Sequence, residues 1–351
     1  MVRITADFQQ ERVLHPAAMA QLNQSFAKGW ADPNKLNTNS REVAILLQQV
    51  RENFATALKV RPDEIEFLGE SDLGFQLGIS GLLKSDSKLI YSSIDRQRIF
   101  AVAANEENKG RKVDCLSVNQ NGAIASYAAQ ENDVVVWQVA NGETGNLQPS
   151  NPTSGLIFAD CTASGVDALP NFEYQTALFD SSSWQGPAGV GILVVKAPDK
   201  WRNPLPHNDL TRVPGSYSIP LVIASSIALT AHLSQEDIRG NLKKYIIEFV
   251  SSQISEVDIA SNLDGLSKFV SFSVDKVEAD RLLLELEAAG FAVDSGSACK
   301  SADMQPSHVL AAMNRPITGN IRLTLHKDIT EQMVKDFCQA LKIAIAKLRK
   351  N

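Results

Sequence analysis

Three side chains of this sequence have the chemistry of a reactive or ligand-binding site. Cys299 lies in VDSGSACKSA, where Ser, Gly and Lys neighbours predict an accessible thiol, and an accessible thiolate is a nucleophile. Arg322 lies in NIRLTLH, and its guanidinium can bind a carboxylate through two parallel hydrogen bonds or form an internal salt bridge. Asp160 ends the apolar run GLIFAD, where an open α/β sheet places its ligands; a loop-capping aspartate is the alternative.

Three serines lie at turns beside apolar runs. Ser71 lies in LGESDLGFQ ahead of a predicted helix; a helix N-terminus favours an anion, and a plain N-cap is an equal alternative. Ser183 lies in LFDSSSWQGPAGVGILVV, which by composition is a glycine-rich turn between strands. Ser216 follows a Pro-Gly turn in RVPGSYS. The residues alone leave Ser71 as an anion ligand or an N-cap, and Ser183 and Ser216 as turn residues.

Two further polar residues follow predicted strands. Asn141 begins the polar part of ANGETGNLQP, which in isolation indicates a β–α loop. Arg96 lies in YSSIDRQRIF. A guanidinium can stack on a flat ring or pair with an anion, and a solvated surface charge is the alternative.

Short apolar runs bounded by turn residues predict the sheet that positions these side chains. Near-continuous apolar strands separated by helices or long loops are typical of a parallel sheet covered on both faces. A helix is predicted after Ser40, because apolar residues recur there with helical spacing. The predicted strands are EIEFLG, KLIYSS, VVVWQVA, GLIFAD, ALFD and VGILVV.

The pattern changes after residue 215. A buried-looking helix, IPLVIASSIALTAHL, is followed by a strand, KFVSFSV, and by a helix that stops at Gly290. NIRLTLH predicts a further strand, and Thr330 is a plausible N-cap for a long final helix. We therefore expect a large α/β domain at 14–235 and a smaller α+β domain made of 1–13 and 236–351.

Composition limits the classes of function. The net charge of the 351 residues is −6, which argues against a nucleic-acid partner, and no apolar stretch reaches the ~20 residues of a membrane helix. The N-terminal segment has no signal-peptide pattern, so we expect a cytoplasmic protein with free thiols. The four cysteines have no metal-ligand spacing, so no metal site is predicted.

The order and spacing of these motifs resemble the cysteine desulfurase branch of the class V aminotransferases, which are pyridoxal-phosphate enzymes of fold type I. LFDSSSWQGPAGVG is similar to the family segment Ser-x-His-Lys-x-x-Gly-Pro-x-Gly-x-Gly, and SGSACKSA is similar to its mobile cysteine loop. The resemblance covers about residues 13–350. It implies a large domain with a mainly parallel seven-stranded sheet between helices, and a smaller α+β domain.

The resemblance also implies roles for individual residues. Cys299 corresponds to the thiol that takes up substrate sulfur. Asp160 corresponds to the partner of the pyridine nitrogen, and Arg96 falls at the ring-stacking histidine. Ser71 and Ser216 fall at threonines that bind phosphate. Asn141 and Arg322 are expected on the substrate side, with Arg322 on the substrate carboxylate.

Four family residues around the cofactor are absent: the cofactor-binding lysine, the ring-stacking histidine at Arg96, the second loop asparagine and the glutamine that contacts the ring oxygen. Anchored on the Gly-Pro pair, the family's cofactor-binding lysine falls at Ser183, and its histidine and serine fall at Ser182 and Asp180. Gly142 replaces the second loop asparagine and Ala163 replaces the glutamine that contacts the ring oxygen. A serine hydroxyl cannot form the imine that the lysine amine forms, nor act as a base near pH 7 without an activating partner.

Three functions are consistent with this combination. The favoured hypothesis is a desulfurase-like homodimer without lysine-dependent catalysis, acting as a binding or accessory protein, with a sulfur acceptor or iron–sulfur assembly protein as partner. The second is an active enzyme with altered chemistry whose pyridoxal phosphate is held without a covalent bond. The third is a structural dimer with no cofactor. A ring pocket filled by Glu70, Arg96 or Trp184 would exclude the second.

Overall fold

The computed structural model describes residues 4–11, 14–207, 212–213, 215, 217–296 and 306–350. Its strands are β1 (Ala6–Asp7), β2 (Ile65–Leu68), β3 (Leu89–Ser92), β4 (Val113–Leu116), β5 (Val134–Gln138), β6 (Leu156–Asp160), β7 (Thr176–Asp180), β8 (Gly191–Val195), β9 (Val257–Ile259), β10 (Phe269–Val274), β11 (Phe291–Ala292) and β12 (Asn320–Thr324). Its α-helices are α1 (Pro16–Lys28), α2 (Thr38–Leu58), α3 (Ser71–Ser80), α4 (Gln97–Asn108), α5 (Ile219–Ser234), α6 (Arg239–Gln253), α7 (Ala279–Ala288), α8 (His308–Ala312) and α9 (Glu331–Leu348).

The larger sheet has seven strands in the order β2-β8-β7-β6-β5-β3-β4. The strands from β7 to β4 pair in parallel, and β8 is antiparallel to both β7 and β2. Every residue of β5, β6 and β8 is buried, as expected where helices cover both faces. The predicted α/β fold with a mainly parallel seven-stranded sheet is therefore confirmed.

A second apolar cluster lies around a three-stranded antiparallel sheet of order β12-β10-β9. Helices α6, α7 and α9 contribute buried apolar side chains to it, as does Phe8 from the start of the chain. The short strand β1 pairs in parallel with β11, which attaches the N-terminal segment to this cluster. The predicted domain boundary near residue 235 is compatible with this division and stays a prediction.

Local signals in the sequence agree with the ends of these elements. Thr330 caps α9, since its side chain accepts a hydrogen bond from the Met333 backbone N–H. Gly290 follows α7 with a φ of 92°, a backbone conformation that glycine adopts without steric cost. Strands β1, β4, β9 and β11 and helices α1, α4 and α6 were not among the predicted elements. In the described part of the chain no helix is long and apolar enough to cross a membrane.

Candidate functional site

Three of the predicted site residues, Asp160, Asn141 and Ser71, lie at one edge of the large sheet. Asp160 ends β6, Asp180 ends β7, and Asn141 lies three residues beyond the end of β5. Because these three strands are parallel, their carboxyl ends open on the same side, where α/β sheets place ligands. Ser71 reaches this edge from the first turn of α3.

Asp180 accepts hydrogen bonds from two serine side chains. The Ser71 hydroxyl donates to Oδ2 at 2.6 Å, and the Ser182 hydroxyl donates to Oδ1 at 2.6 Å. The Ser182 backbone N–H also donates to Oδ1, at 2.7 Å. We call Ser71, Asp180 and Ser182 the Asp180 cluster. The helix cap of α3 is Glu70, whose carboxylate accepts from the Asp72 N–H, so Ser71 is not the N-cap.

Ser183 lies in a 3-10 helix, Ser181–Trp184, directly after β7. Its hydroxyl donates to the backbone carbonyl of Asp180 at 2.7 Å. It is half-buried and lies against Gly165, where a Cβ would collide with the hydroxyl. Trp184 is fully buried, and its ring centroid lies 6.1 Å from that of Phe54 in the core of the large sheet.

Asp160 has a cationic partner within the protein. The Arg96 Nε lies 3.6 Å from Asp160 Oδ2, and the Arg96 side chain is 37% exposed. The Thr162 hydroxyl and backbone N–H both donate to Oδ1, at 2.6 and 2.9 Å. A Cβ at Gly142 would lie 3.2 Å from an Arg96 nitrogen, so the absence of a side chain there gives the guanidinium room.

Asn141 uses both ends of its amide to hold its own loop. Its Oδ1 accepts from the N–H groups of Glu143 and Thr144, each at 3.0 Å. Its Nδ2 donates to the Ile94 carbonyl at 3.2 Å and to Gln138 Oε1 at 3.1 Å. The amide is buried, and all of these hydrogen bonds stabilise the conformation of the loop.

A buried carboxyl, Asp95, lies beneath this loop. It accepts from the Ser92 N–H at 2.7 Å and from Gln138 Nε2 at 2.6 Å. Burial raises the pKa of Asp95 to about 7, against the lowering effect of those two hydrogen bonds. Sequence reasoning missed this residue, although its place just before Arg96 in a strand-end loop was a usable signal.

Arg322 is buried in β12, and its guanidinium lies 3.2 Å from Asp294 Oδ2. Asp294 also accepts from the Gln10 N–H at 2.9 Å. Burial raises the pKa of the neighbouring Glu143 carboxyl, and the charge of Arg322 opposes that shift. The internal salt bridge that the sequence left as an alternative is therefore present.

Cys299 and Ser216 lie outside the described residues. Of the cysteines that are described, Cys161 and Cys338 are buried and Cys115 is exposed. Burial raises the pKa of Cys338 to about 12, as expected for a thiol that packs as a small hydrophobe. Within the described ranges, no group of acidic, histidine or cysteine side chains is arranged to hold a metal ion.

A buried ionic cluster next to Ser183 was also missed, because its members are scattered along the sequence. Asp167 lies 3.0 Å from His232 Nε2, 2.9 Å from an Arg239 nitrogen and 3.4 Å from Lys268 Nζ. We call these four residues the Asp167 cluster. Its cations hold the pKa of Asp167 well below the usual range despite burial.

Comparison with known proteins identifies the relatives of this chain. No family model matches it. A cysteine desulfurase IscS of Dictyoglomus turgidum is 26% identical over 91% of this chain and 89% of its own length. Cysteine desulfurase 2 of Trichormus variabilis is also 26% identical, over 91% of this chain and 87% of its own. Homologues of this chain are therefore cysteine desulfurases.

Solved structures show the same fold. A NifS-like protein superposes with a TM-score of 0.84 at 19% identity, covering 99% of this chain and 100% of the other. The apo cysteine desulfurase from Thermococcus onnurineus gives a TM-score of 0.81 at 16% identity, covering 99% and 95%. The fold is that of the fold-type-I pyridoxal-phosphate enzymes.

Proposed function

We propose that this chain is a cysteine desulfurase-like protein that does not carry out lysine-dependent pyridoxal-phosphate catalysis. The observation that supports the proposal is the bonding of Ser183, which the sequence resemblance places at the position of the family's lysine. Its side chain is a hydroxyl, and that hydroxyl is already bonded to the Asp180 carbonyl. A hydroxyl cannot replace an amine in imine formation.

The surroundings of Ser71 do not fit a phosphate group. The Ser71 hydroxyl, the expected phosphate donor, is bonded to the Asp180 carboxylate. That carboxylate also accepts hydrogen bonds from the hydroxyl and the backbone N–H of Ser182. A phosphate arriving here would meet a fixed negative charge, and like charges at close range repel.

The surroundings of Asp160 do not favour a pyridine nitrogen either. In the family that nitrogen is the cationic partner of the aspartate, and here Arg96 supplies a cation from within the chain. A guanidinium is charged at any ordinary pH, so the Arg96 partner of Asp160 stays cationic across that range. The residues present therefore do not fit the cofactor, and we derive no reaction step through it.

The remaining elements of the proposal rest on the family resemblance of the sequence. We propose a homodimer in the cytoplasm, with an accessory role in sulfur metabolism and a sulfur acceptor or iron–sulfur assembly protein as its partner. Cys299 and Ser216 are not described, and Arg322 is engaged with Asp294. The persulfide role of Cys299 and the substrate-carboxylate role of Arg322 belong to the alternative proposal, in which the chain is an active enzyme.

The test is cofactor addition to the purified full chain. After unbound pyridoxal phosphate is removed, we expect no absorbance band of a protein-bound imine, and after borohydride treatment no single lysine labelled stoichiometrically by peptide mass spectrometry. We also expect no persulfide on Cys299 after addition of cysteine, with Cys299→Ser as the matched control. A stoichiometric adduct on one lysine or a cysteine-dependent persulfide would refute the proposal. Saturable binding without an adduct would support the non-covalent alternative instead.

A further inference from the structure

A small cavity beside Ser183 contains a surplus of positive charge. It has a volume of about 30 Å³ and is lined by Ala163, Ser183, Arg239, Lys268, Thr324 and Lys327, among others. By this measure one water needs roughly 10–15 Å³, so the cavity has room for about two waters or one anion of three heavy atoms.

The cations at this cavity outnumber the carboxylates that face them. Lys268 and Arg239 are buried and share Asp167, while Arg239 also binds Asp237 through its Nε at 2.8 Å. Lys327 adds a third positive charge, and its Nζ donates to two backbone carbonyls, His232 O at 2.6 Å and Gln235 O at 3.2 Å. Among the residues that the structure describes, three cations therefore meet two carboxylates.

The pKa values of two of these cations, Lys268 and Lys327, are lowered. Burial lowers the pKa of Lys268, and the nearby charge of Arg239 lowers it further, against the effect of Asp167. The same two causes lower the pKa of Lys327. An anion at the cavity would relieve the repulsion, because opposite charges in a poorly solvated space attract strongly.

A second observation concerns Thr324. This residue lines the cavity and is 4% exposed. Its hydroxyl is buried and has no hydrogen-bond partner among the residues that the structure describes. Buried hydroxyls are normally paired, and an unpaired one is costly. A water could pair with it, but only an anion would also offset the surplus charge.

We propose that this cavity binds a small monoanion, of the size of formate or chloride, held by the charge of Lys327 and Lys268 and by the Thr324 hydroxyl. The cations involved are not positions to which the family resemblance assigns a role, and neither Arg322 nor Arg96 lines the cavity. The site does not depend on the proposed function, because it requires no cofactor and no reaction.

The test is thermal unfolding of the full chain at constant pH and ionic strength. Sodium gluconate, whose anion is too large for the cavity, is replaced stepwise by sodium formate, and in a second arm by sodium chloride. A ligand that binds only the folded state raises the unfolding midpoint. We expect a saturable rise with formate or chloride; the arm that responds identifies a carboxylate or a spherical anion.

Two variants localise the effect. Thr324→Val removes the hydroxyl with little change of shape and is expected to weaken the anion affinity about tenfold. Lys327→Gln removes the surplus positive charge, and we expect it to abolish the rise of the unfolding midpoint with formate or chloride. Lys196→Gln, at a lysine stacked 4.7 Å from the Tyr174 ring and not lining the cavity, is the control that keeps it. Equal midpoints in all three salts, or an unchanged response in both cavity variants, would overturn the proposal.

Discussion

The Ser71 hydroxyl and the Asp180 carboxylate are joined by a 2.6 Å hydrogen bond between residues 109 positions apart. The bond connects the first turn of α3 to the end of β7. It places a fixed anion where the family resemblance led us to expect a phosphate donor. The remaining hydroxyl of the cluster, Ser182, is turned to the same carboxylate.

Replacing Asp180 by the serine of the family should open this anion position. Asp180→Ser removes the negative charge and can still cap the 3-10 helix, since serine is a good N-cap. We expect the variant to bind inorganic phosphate measurably better than the unmodified protein in a phosphorus NMR titration. The control is Asp72→Ser. It removes an acidic group from the first turn of α3, which also contains Ser71, but Asp72 is not part of the Asp180 cluster. Equal phosphate binding by all three proteins would contradict the prediction.

Gly142 and Arg96 should be energetically coupled. A Cβ at position 142 would lie 3.2 Å from the guanidinium, so Gly142→Asn should displace Arg96 from Asp160. We expect Gly142→Asn to be less costly in an Arg96→His background, with a coupling of about 1 kcal/mol. Urea unfolding of the four proteins of the cycle measures it, and additive effects would show that the two positions are independent.

Asp167 should be essential for stability. Asp167→Asn leaves Arg239 and Lys268 buried without their shared counter-charge, and breaking a buried ion pair in this way costs about 3–5 kcal/mol. The control is Asp114→Asn, at an exposed ion pair with Lys88, which should cost less than about 1 kcal/mol. Urea unfolding at pH 7 compares them. A small effect of Asp167→Asn would mean that the cluster is solvated.

Asp95 should make the protein less stable as the pH rises from about 4 to 7. Burial raises its pKa from the ordinary value of 3.8 to about 7 in the folded protein. In that window the unfolded chain has released the proton and the folded chain still holds it, so rising pH favours unfolding. The contribution of Asp95 to the free energy of unfolding is fully present below the pKa of the unfolded chain. It is lost as the pH rises through the pKa of the folded protein, and the total loss is on the order of 4 kcal/mol.

The difference between the unmodified protein and Asp95→Asn isolates this group. Urea unfolding at several pH values from 4 to 8 should give a falling stability for the unmodified protein relative to the variant, which has no carboxyl to titrate. A constant difference across this range would show that Asp95 is already ionised at acidic pH in the folded protein.

The sequence predicted the sheet well because its strands are nearly continuous apolar runs. The runs 134–140 and 155–160 are centred on β5 and β6, whose residues are all buried. Strand β4 was missed because two of its four residues are exposed and none is buried, as on a sheet edge. Helix α1 was missed because only two of its residues are buried.

The site was less predictable than the fold. Motif order located Asp160, Arg96 and Ser71 at one sheet edge, but the partners that these side chains choose depend on tertiary packing. The Asp180 cluster joins residues from two distant motifs, and the Asp167 cluster joins α5, α6 and the segment before β10. The members of each cluster are far apart in the sequence, so no short motif indicates that they meet. Asn141 illustrates the same limit, since the amide expected on the substrate side holds its own loop.

The pairing of β1 with β11 has a consequence for how the chain is made. The Thr5 N–H binds the Gly290 carbonyl, and the Phe8 carbonyl accepts from the Thr324 N–H. During synthesis the large sheet is complete once β8 has left the ribosome, whereas the first strand must wait for partners made some 280 residues later. Since domains generally fold as units while the chain emerges, Ala6 and Phe8 can reach their buried positions only after β11 and β12 have been synthesised.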